Sequence, residues 1–196
     1  AGQWREGVSL YGEYLLSVKT AAEPYGLIPG GVYHTGEAKD RDSFDRQHLF
    51  SGGAGEAEYL AQLKAGIKLD EDHYLRIFPV WFSFRGNAAI HLASGRAAAI
   101  CGRLLKDERL LDLAREQLYW TVGKNPFAQS LMYGEGHRYP EQAVFLPGTM
   151  TGQLPVGIET RNGEDIPYWP QANNATYKEA WVTVAGKWLS LIAELS

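Results

Sequence analysis

From Trp4 to Thr20 the apolar residues Val8, Tyr11, Leu15, Leu16 and Val18 recur near helical spacing. Pro24 ends that segment, and Gly26, Pro29, Gly30 and Gly31 turn the following run into an irregular loop. Residues 38 to 56 are polar and charge-rich, and such a long connection in a compact domain is usually functional or mobile. A short helix is expected over 54–66. Between Asn87 and Leu105 the stripe is clearest, with Ile90, Ala93, Ala97, Ile100, Cys101, Leu104 and Leu105 on one face and small residues that permit close packing. Asp107 is the N-cap of a next helix carrying Leu110, Leu111, Ala114, Leu118 and Val122, and Gly123 with Pro126 supplies its stop. So short a connection predicts an antiparallel helical hairpin. From Phe127 to Asn174 the helical signal vanishes. Glycine and proline recur there, "AVFLPG" and "LPVGIE" read as short strands, and the retained aromatics mark an ordered loop region. A last helix follows, with Trp181, Val184, Trp188, Leu191, Ile192 and Leu195 on one side. The pattern predicts a mainly α protein of helical hairpins and long loops, each helix burying one face.

Composition narrows the classes. A chain of 196 residues with 45% hydrophobic content can build a core without staples. Its net charge is −4 with signs interspersed, which argues against a nucleic-acid partner. No apolar run approaches the roughly 18 residues of a membrane span. The single Cys101 excludes an internal disulfide and fits a small buried hydrophobe, so the compartment stays open. The Ala1-Gly2 start, with neither methionine nor signal peptide, reads as a processed, tagged or excised segment. Six Trp and eleven Tyr supply faces that stack on sugar rings or fill a core.

Chemistry concentrates in "QLYWTVGKNPFAQSLMYGEGHRYP", residues 117–140. After the helix stop, a glycine-rich loop displays Tyr133, Glu135, His137, Arg138 and Tyr139. In the plainer reading of that loop, Arg138 pairs with Glu135 and Tyr133 plugs the core. Gln117, Trp120, Gly123, Asn125, Pro126, Gly134, Gly136, His137 and Arg138 together resemble the C-terminal part of glycoside hydrolase family nine. The resemblance spans about residues 85–196. It implies an (α/α)6 toroid, a six-hairpin glycosidase-like fold whose site is built by loops at one end. This chain would be its C-terminal part, 1–196 forming only a partial toroid. The resemblance also favours a secreted or periplasmic location. Three departures separate the chain from the family, one of them the reduction of the family's histidine pair before arginine to the single His137. Where the family carries Asn-Glu this chain has Asn173-Asn174, and an amide cannot protonate a leaving oxygen. No Asp-Ala-Gly-Asp-like motif supplies the paired aspartates.

Candidate carboxylates lie elsewhere. Glu179 reads either as the end of a capping box, Thr176-Tyr177-Lys178-Glu179, or as a catalytic acid desolvated by Tyr168, Trp169 and Trp181. Asp165, beside Glu164, is the second catalytic candidate. Glycosidic hydrolysis takes two carboxylates about 5–9.5 Å apart, and Glu37, Asp40, Asp42 and Asp45 are further sources. The spacing of Asp40, Asp42 and Asp45 hints at calcium but lacks the glycine and distal glutamate of an EF-hand loop, so no metal and no cofactor is expected. His91 reads as a hydrogen-bonded core or rim histidine, and "FPVWFSFRG" (78–86) as sugar groove or core filling.

The reading is therefore a carbohydrate-active enzyme that hydrolyses glycosidic bonds in a β-glucan or related polysaccharide. Glu179 and Asp165 are the carboxylates, His137 and Arg138 hold hydroxyls, and Tyr133, Tyr139, Trp169 and Tyr177 form the sugar-binding surface. Its partners are an oligosaccharide or polysaccharide and the missing half of the same protein or a second copy, with no nucleic acid and no membrane. Two alternatives stay open. One is a polysaccharide lyase using Tyr139, His137 and Arg138. The other is a non-catalytic carbohydrate-binding helical domain.

Overall fold

A computed structural model of the chain describes residues 2–39, 56–78, 87–139, 141, 150–160, 164–168 and 178–196. Among these residues the protein is mainly α, with small antiparallel sheets added. Helix α1 (Gly2–Val18) continues into a 3-10 turn, Lys19–Ala22. Then come α2 (Glu56–Lys64), α3 (Ala88–Leu105), α4 (Glu108–Thr121) and α5 (Val182–Leu195). No described helix is long and apolar enough to cross a membrane. The sequence features at Asp40, Asp42, Asp45, Asn173, Asn174 and Thr176, and the "AVFLPG" strand, lie outside the described residues, as do all but Phe78 of 78–86.

The predicted hairpin forms. Lys106 turns the chain in a left-handed conformation (φ 57°), and the Asp107 carboxylate accepts from the Arg109 N–H at 3.0 Å to cap α4. The helices run antiparallel, Gly102 facing Leu111 and Gly95 facing Gln117. A Cβ on Gly102 would sit 2.8 Å from the Leu111 side chain, and one on Gly95 would sit 2.9 Å from Gln117 and 3.0 Å from Leu191 of α5. These glycines set how closely α3 can approach both neighbours.

That close approach rotates α3 away from the predicted stripe. Its buried face is Ala88, His91, Leu92, Gly95, Ala98, Ala99, Cys101 and Gly102, whereas Ile90 and Leu104 are exposed. In α4 the buried line is Leu110, Leu113, Ala114, Gln117 and Trp120, with Val122 exposed. Similar corrections hold at Tyr11 and Ile192. Helix α1 approaches its neighbours at Gly12, whose Cβ would lie 3.0 Å from Leu110, so Tyr11 turns outward and stacks on Tyr14. Helix α5 buries Val184 and Leu191 and leaves Ile192 at its rim. Glu194 ties this helix back to α3 through Arg96 and Arg103.

The larger sheet has no counterpart in the sequence reading. Strands β1 (Gly31–His34), β2 (Ile67–Lys68) and β3 (His73–Arg76) form an antiparallel sheet in the order β1-β3-β2. Gly31 pairs with Arg76, and Ile67 with Leu75. Thus the glycine-rich run read as irregular loop leads into a strand. A second sheet pairs β4 (Glu159–Thr160) with β5 (Pro167–Tyr168), so only the end of "LPVGIE" is strand.

The main core lies among α1, α3, α4 and α5, around Leu15, Leu92, Leu110, Leu113 and Leu191. A second cluster, with Leu27, Phe78, Trp120, Leu131 and Ile158, sits where the loops gather beyond α4. His91 lies near it, edge-on to Trp120 at 5.0 Å between ring centres. His91 is in the core as expected; neither ring nitrogen makes a hydrogen bond of good geometry among the described residues, and the nearby Gln117 amide only partly offsets its burial. Burial pushes its imidazole down from 6.5 to about 4. A histidine so depressed favours folding in its neutral form. Its contribution is complete above the unfolded value of about 6.5 and is lost as the pH falls toward 4. Unfolding free energy is expected to drop by about 3 kcal/mol more between pH 7 and pH 4 in the natural protein than in His91→Phe. Urea titrations of both proteins at a series of pH values check this, and parallel curves would show that His91 is solvated.

Candidate functional site

The glycine-rich loop beyond α4 is pinned from its first residues. Gly123 takes φ 128°, ending the helix where a side chain would be strained. Asn125 then works as a bracket. Its Nδ2 donates to the carbonyls of Trp120 and Gln129, both at 2.8 Å, and its Oδ1 accepts from the Phe127 N–H at 3.1 Å. The chain folds back so that the Ser130 N–H donates to the Arg138 carbonyl at 2.7 Å, while the Leu131 N–H reaches the Thr121 carbonyl. Gly134 (φ 76°) passes so close to Thr151 that a Cβ would lie 2.5 Å from its hydroxyl.

Backbone pairing joins this loop to the approach of the last helix. Tyr133 and residues 152–153 exchange bonds, the Tyr133 N–H to the Gln153 carbonyl and the Gly152 N–H to the Tyr133 carbonyl. Three residues on, the Val156 N–H donates to the Glu179 carbonyl and the Trp181 N–H to the Leu154 carbonyl, around a Pro155–Ala180 bridge. Segments 131–133, 152–156 and 179–181 therefore form one hydrogen-bonded platform. The Val156 and Ile158 carbonyls anchor it to the start of α3 by accepting from the Ala88 and Asn87 N–H groups.

Four of the predicted sugar-binding residues, and Glu179, belong to this platform or its loop. Tyr133 is half-buried and meets the exposed Tyr139 edge-on, ring centres 5.2 Å apart. His137 and Arg138 are both exposed, and no ion pair joins Arg138 to Glu135 among the described residues. Glu179 does not cap the last helix, which opens at Val182 with Trp181 in the N-cap position. Instead Glu179 Oε2 accepts the Trp181 indole N–H at 2.6 Å. Trp169 and Tyr177 lie outside the described residues.

A groove of about 350 Å³ runs along the platform between residues 150–154 and 180–185, with Met150, Gln153, Trp181 and Val182 in its walls. Met150 is 69% and Val182 86% exposed. Sequence reading missed this groove because Met150, Gln153 and Val182 carry no motif, and only the backbone pairing brings them together.

Asp165 is engaged by partners of its own. Its Oδ2 accepts the Ile77 N–H at 2.8 Å, its Oδ1 the Phe78 N–H at 2.9 Å, and Arg76 Nε lies 3.6 Å away. Its side chain is 7% exposed. Burial pushes this carboxyl up, while the two N–H donors and the guanidinium pull it down. It thus caps the end of β3 and balances a buried arginine, where the sequence reading expected a catalytic partner for Glu179. Among the described residues no group of three or more His, Cys, Asp or Glu is arranged to hold a metal ion. No family model, no curated protein and no solved structure matches the chain.

Proposed function

We propose that this chain is part of an (α/α) six-hairpin glycosidase-like protein and that its platform binds a β-glucan or related polysaccharide for hydrolysis. One observation supports the reading above the others. An open groove has Trp181 in its wall, and the same indole donates to Glu179, the residue before the lining residue Ala180. Its volume, about 350 Å³, lies at the lower end of the range of ligand sites. An indole face offers a sugar ring a stacking surface, and a carboxylate within reach supplies or accepts a proton. In this reading His137 and Arg138 hold hydroxyls, Tyr133 and Tyr139 present a second aromatic surface, and Glu179 is the proton donor. Asp165 has a holding role, so a second carboxylate comes from another part of the site.

Products test the reaction class. A soluble β-glucan and, separately, a uronate-containing polysaccharide, each incubated with the chain together with the remainder of its protein, are compared. The β-glucan is expected to gain reducing ends, and neither is expected to gain ultraviolet absorbance, since hydrolysis adds water across the bond and leaves no double bond, whereas elimination needs the uronate carboxyl to acidify the adjacent proton. Ultraviolet-absorbing, unsaturated ends would overturn hydrolysis in favour of elimination. Binding without either product would overturn catalysis. The non-catalytic reading has its own support in the engagement of Asp165, which removes one of the two carboxylates that hydrolysis takes.

A further inference from the structure

Behind the glycine-rich loop lies a second cavity, of about 120 Å³, walled by Tyr25, Phe78, Trp120, Pro126 and Pro167 with Asp165 among them. None of its described lining residues belongs to the groove on the platform. Phe78 and Trp120 are 3% and 1% exposed and sit in the second core cluster, so these walls are fixed before any ligand arrives. Apart from Asp165 and Glu23, the described lining side chains are apolar or aromatic.

Asp165 gives the cavity its chemistry. Each carboxylate oxygen accepts one backbone N–H, which leaves acceptor capacity on both. Its charge is already balanced by the buried Arg76, so a cation entering beside it gains little net attraction. A neutral hydroxyl suits it better, because such a group donates a hydrogen bond without bringing a charge into a desolvated site. Size adds a second constraint. A cavity of about 150 Å³ holds a benzene, so this one admits one ring edge and not a disaccharide.

We propose that the cavity is an end-group subsite receiving the hydroxyl-bearing edge of one hexopyranose unit, with carbon-bound faces against the accessible walls Tyr25, Ile77 and Pro167, the buried Phe78 and Trp120 closing its floor, and one hydroxyl donating to Asp165. The inference rests on the carbohydrate reading above and adds to it a preference for a chain end. Glu23, at the lining, is not required by this geometry.

Titration of the full chain with D-glucose, followed by tryptophan fluorescence and ligand-detected NMR, tests the proposal. Two variants are compared with the natural protein. Ala21→Phe fills the cavity from a half-buried position in the 3-10 turn, and Asp165→Asn removes the charged acceptor. Asp165→Asn replaces a charged acceptor by a neutral amide oxygen and is expected to bind glucose at least about tenfold more weakly, and Ala21→Phe is expected to weaken binding by at least as much because its ring occupies the cavity. Asp165→Asn also disturbs the cap on β3, and Ala21→Phe keeps the test decisive if that variant fails to fold. Unchanged affinity in Ala21→Phe overturns the subsite. If a β-glucan still binds in that case, the carbohydrate reading stands without it. Glucose binding lost in Ala21→Phe with no β-glucan binding by the natural protein sustains the subsite and overturns the platform reading. Failure of both sugars to bind overturns both.

Discussion

Glu179→Gln is expected to lower turnover of a β-glucan about 10³-fold while leaving its binding within about twofold, the middle of the range for removing a general acid. The contrast follows from the surroundings of this residue. Glu179 Oε2 accepts the Trp181 indole N–H at 2.6 Å, and a glutamine carbonyl oxygen can accept the same bond. The backbone of residue 179 is held separately, through the Val156 N–H. The substitution should therefore leave the platform and the groove as they are and remove only the ability to give up a proton at that position. Initial rates and a binding isotherm on the same polysaccharide separate the two effects. A rise in Kd matching the fall in rate would make Glu179 a binding group, and an unchanged rate would place the acid elsewhere. Asp165→Asn serves as a contrast, because its main expected consequence is structural, through the Ile77 and Phe78 N–H groups it now satisfies.

Why the sequence foretold some of this and not the rest comes down to which interactions are local. The hairpin was legible because its signals sit within a few residues of each other: Asp107 before a helix, Gly123 after it, and a connection too short for anything but a reversal. The face that α3 buries was not. A hydrophobic-stripe reading counts Ile90 and Leu104 and ignores Gly95 and Gly102, yet at 2.8–3.0 Å clearances the missing side chains decide which face touches α4 and α5. Strand β2 has two residues, both exposed, and β3 is buried on both faces, so neither shows the alternation that marks a half-buried strand. At the candidate site, the loop residues 133–139 were found by composition and motif. Their neighbours 152–156 were not, since that pairing depends on a backbone meeting with no side-chain signature. The cap assigned to Glu179 failed because Thr176 and Glu179 match a capping box in sequence, while the pairing of residues 179–181 with 154–156 keeps the chain extended until Trp181.

Gln117→Leu is expected to destabilise the fold by about 4 kcal/mol, although leucine is close to glutamine in volume and every neighbour is in the core. Gln117 is 0% exposed. Its Nε2 donates to the Gly26 carbonyl at 2.8 Å and to the Leu113 carbonyl at 2.6 Å, and its Oε1 accepts the Ile28 N–H at 2.9 Å. It thus supplies in a side chain the pairing that a neighbouring strand would otherwise give to residues 26–28, all of which are buried. Leucine leaves the Ile28 donor and the Gly26 acceptor without partners, and each such group costs about 1–3 kcal/mol. The Leu113 carbonyl is affected less, because it lies four residues back in the same helix and keeps its backbone bond. Thr121→Val, one turn further along and 1% exposed, is the comparison. Its hydroxyl only adds a second bond to the helical carbonyl of Gln117, so its loss should cost less than about 1.5 kcal/mol. Urea unfolding should show a large fall in midpoint for Gln117→Leu at unchanged slope, and heating a fall of roughly 10 °C. Equal costs for the two variants would mean that residues 26–28 are held by something other than Gln117. Because Leu27 lines the second cavity, the same substitution should also weaken glucose binding there, tying the stability of this loop to the proposed subsite.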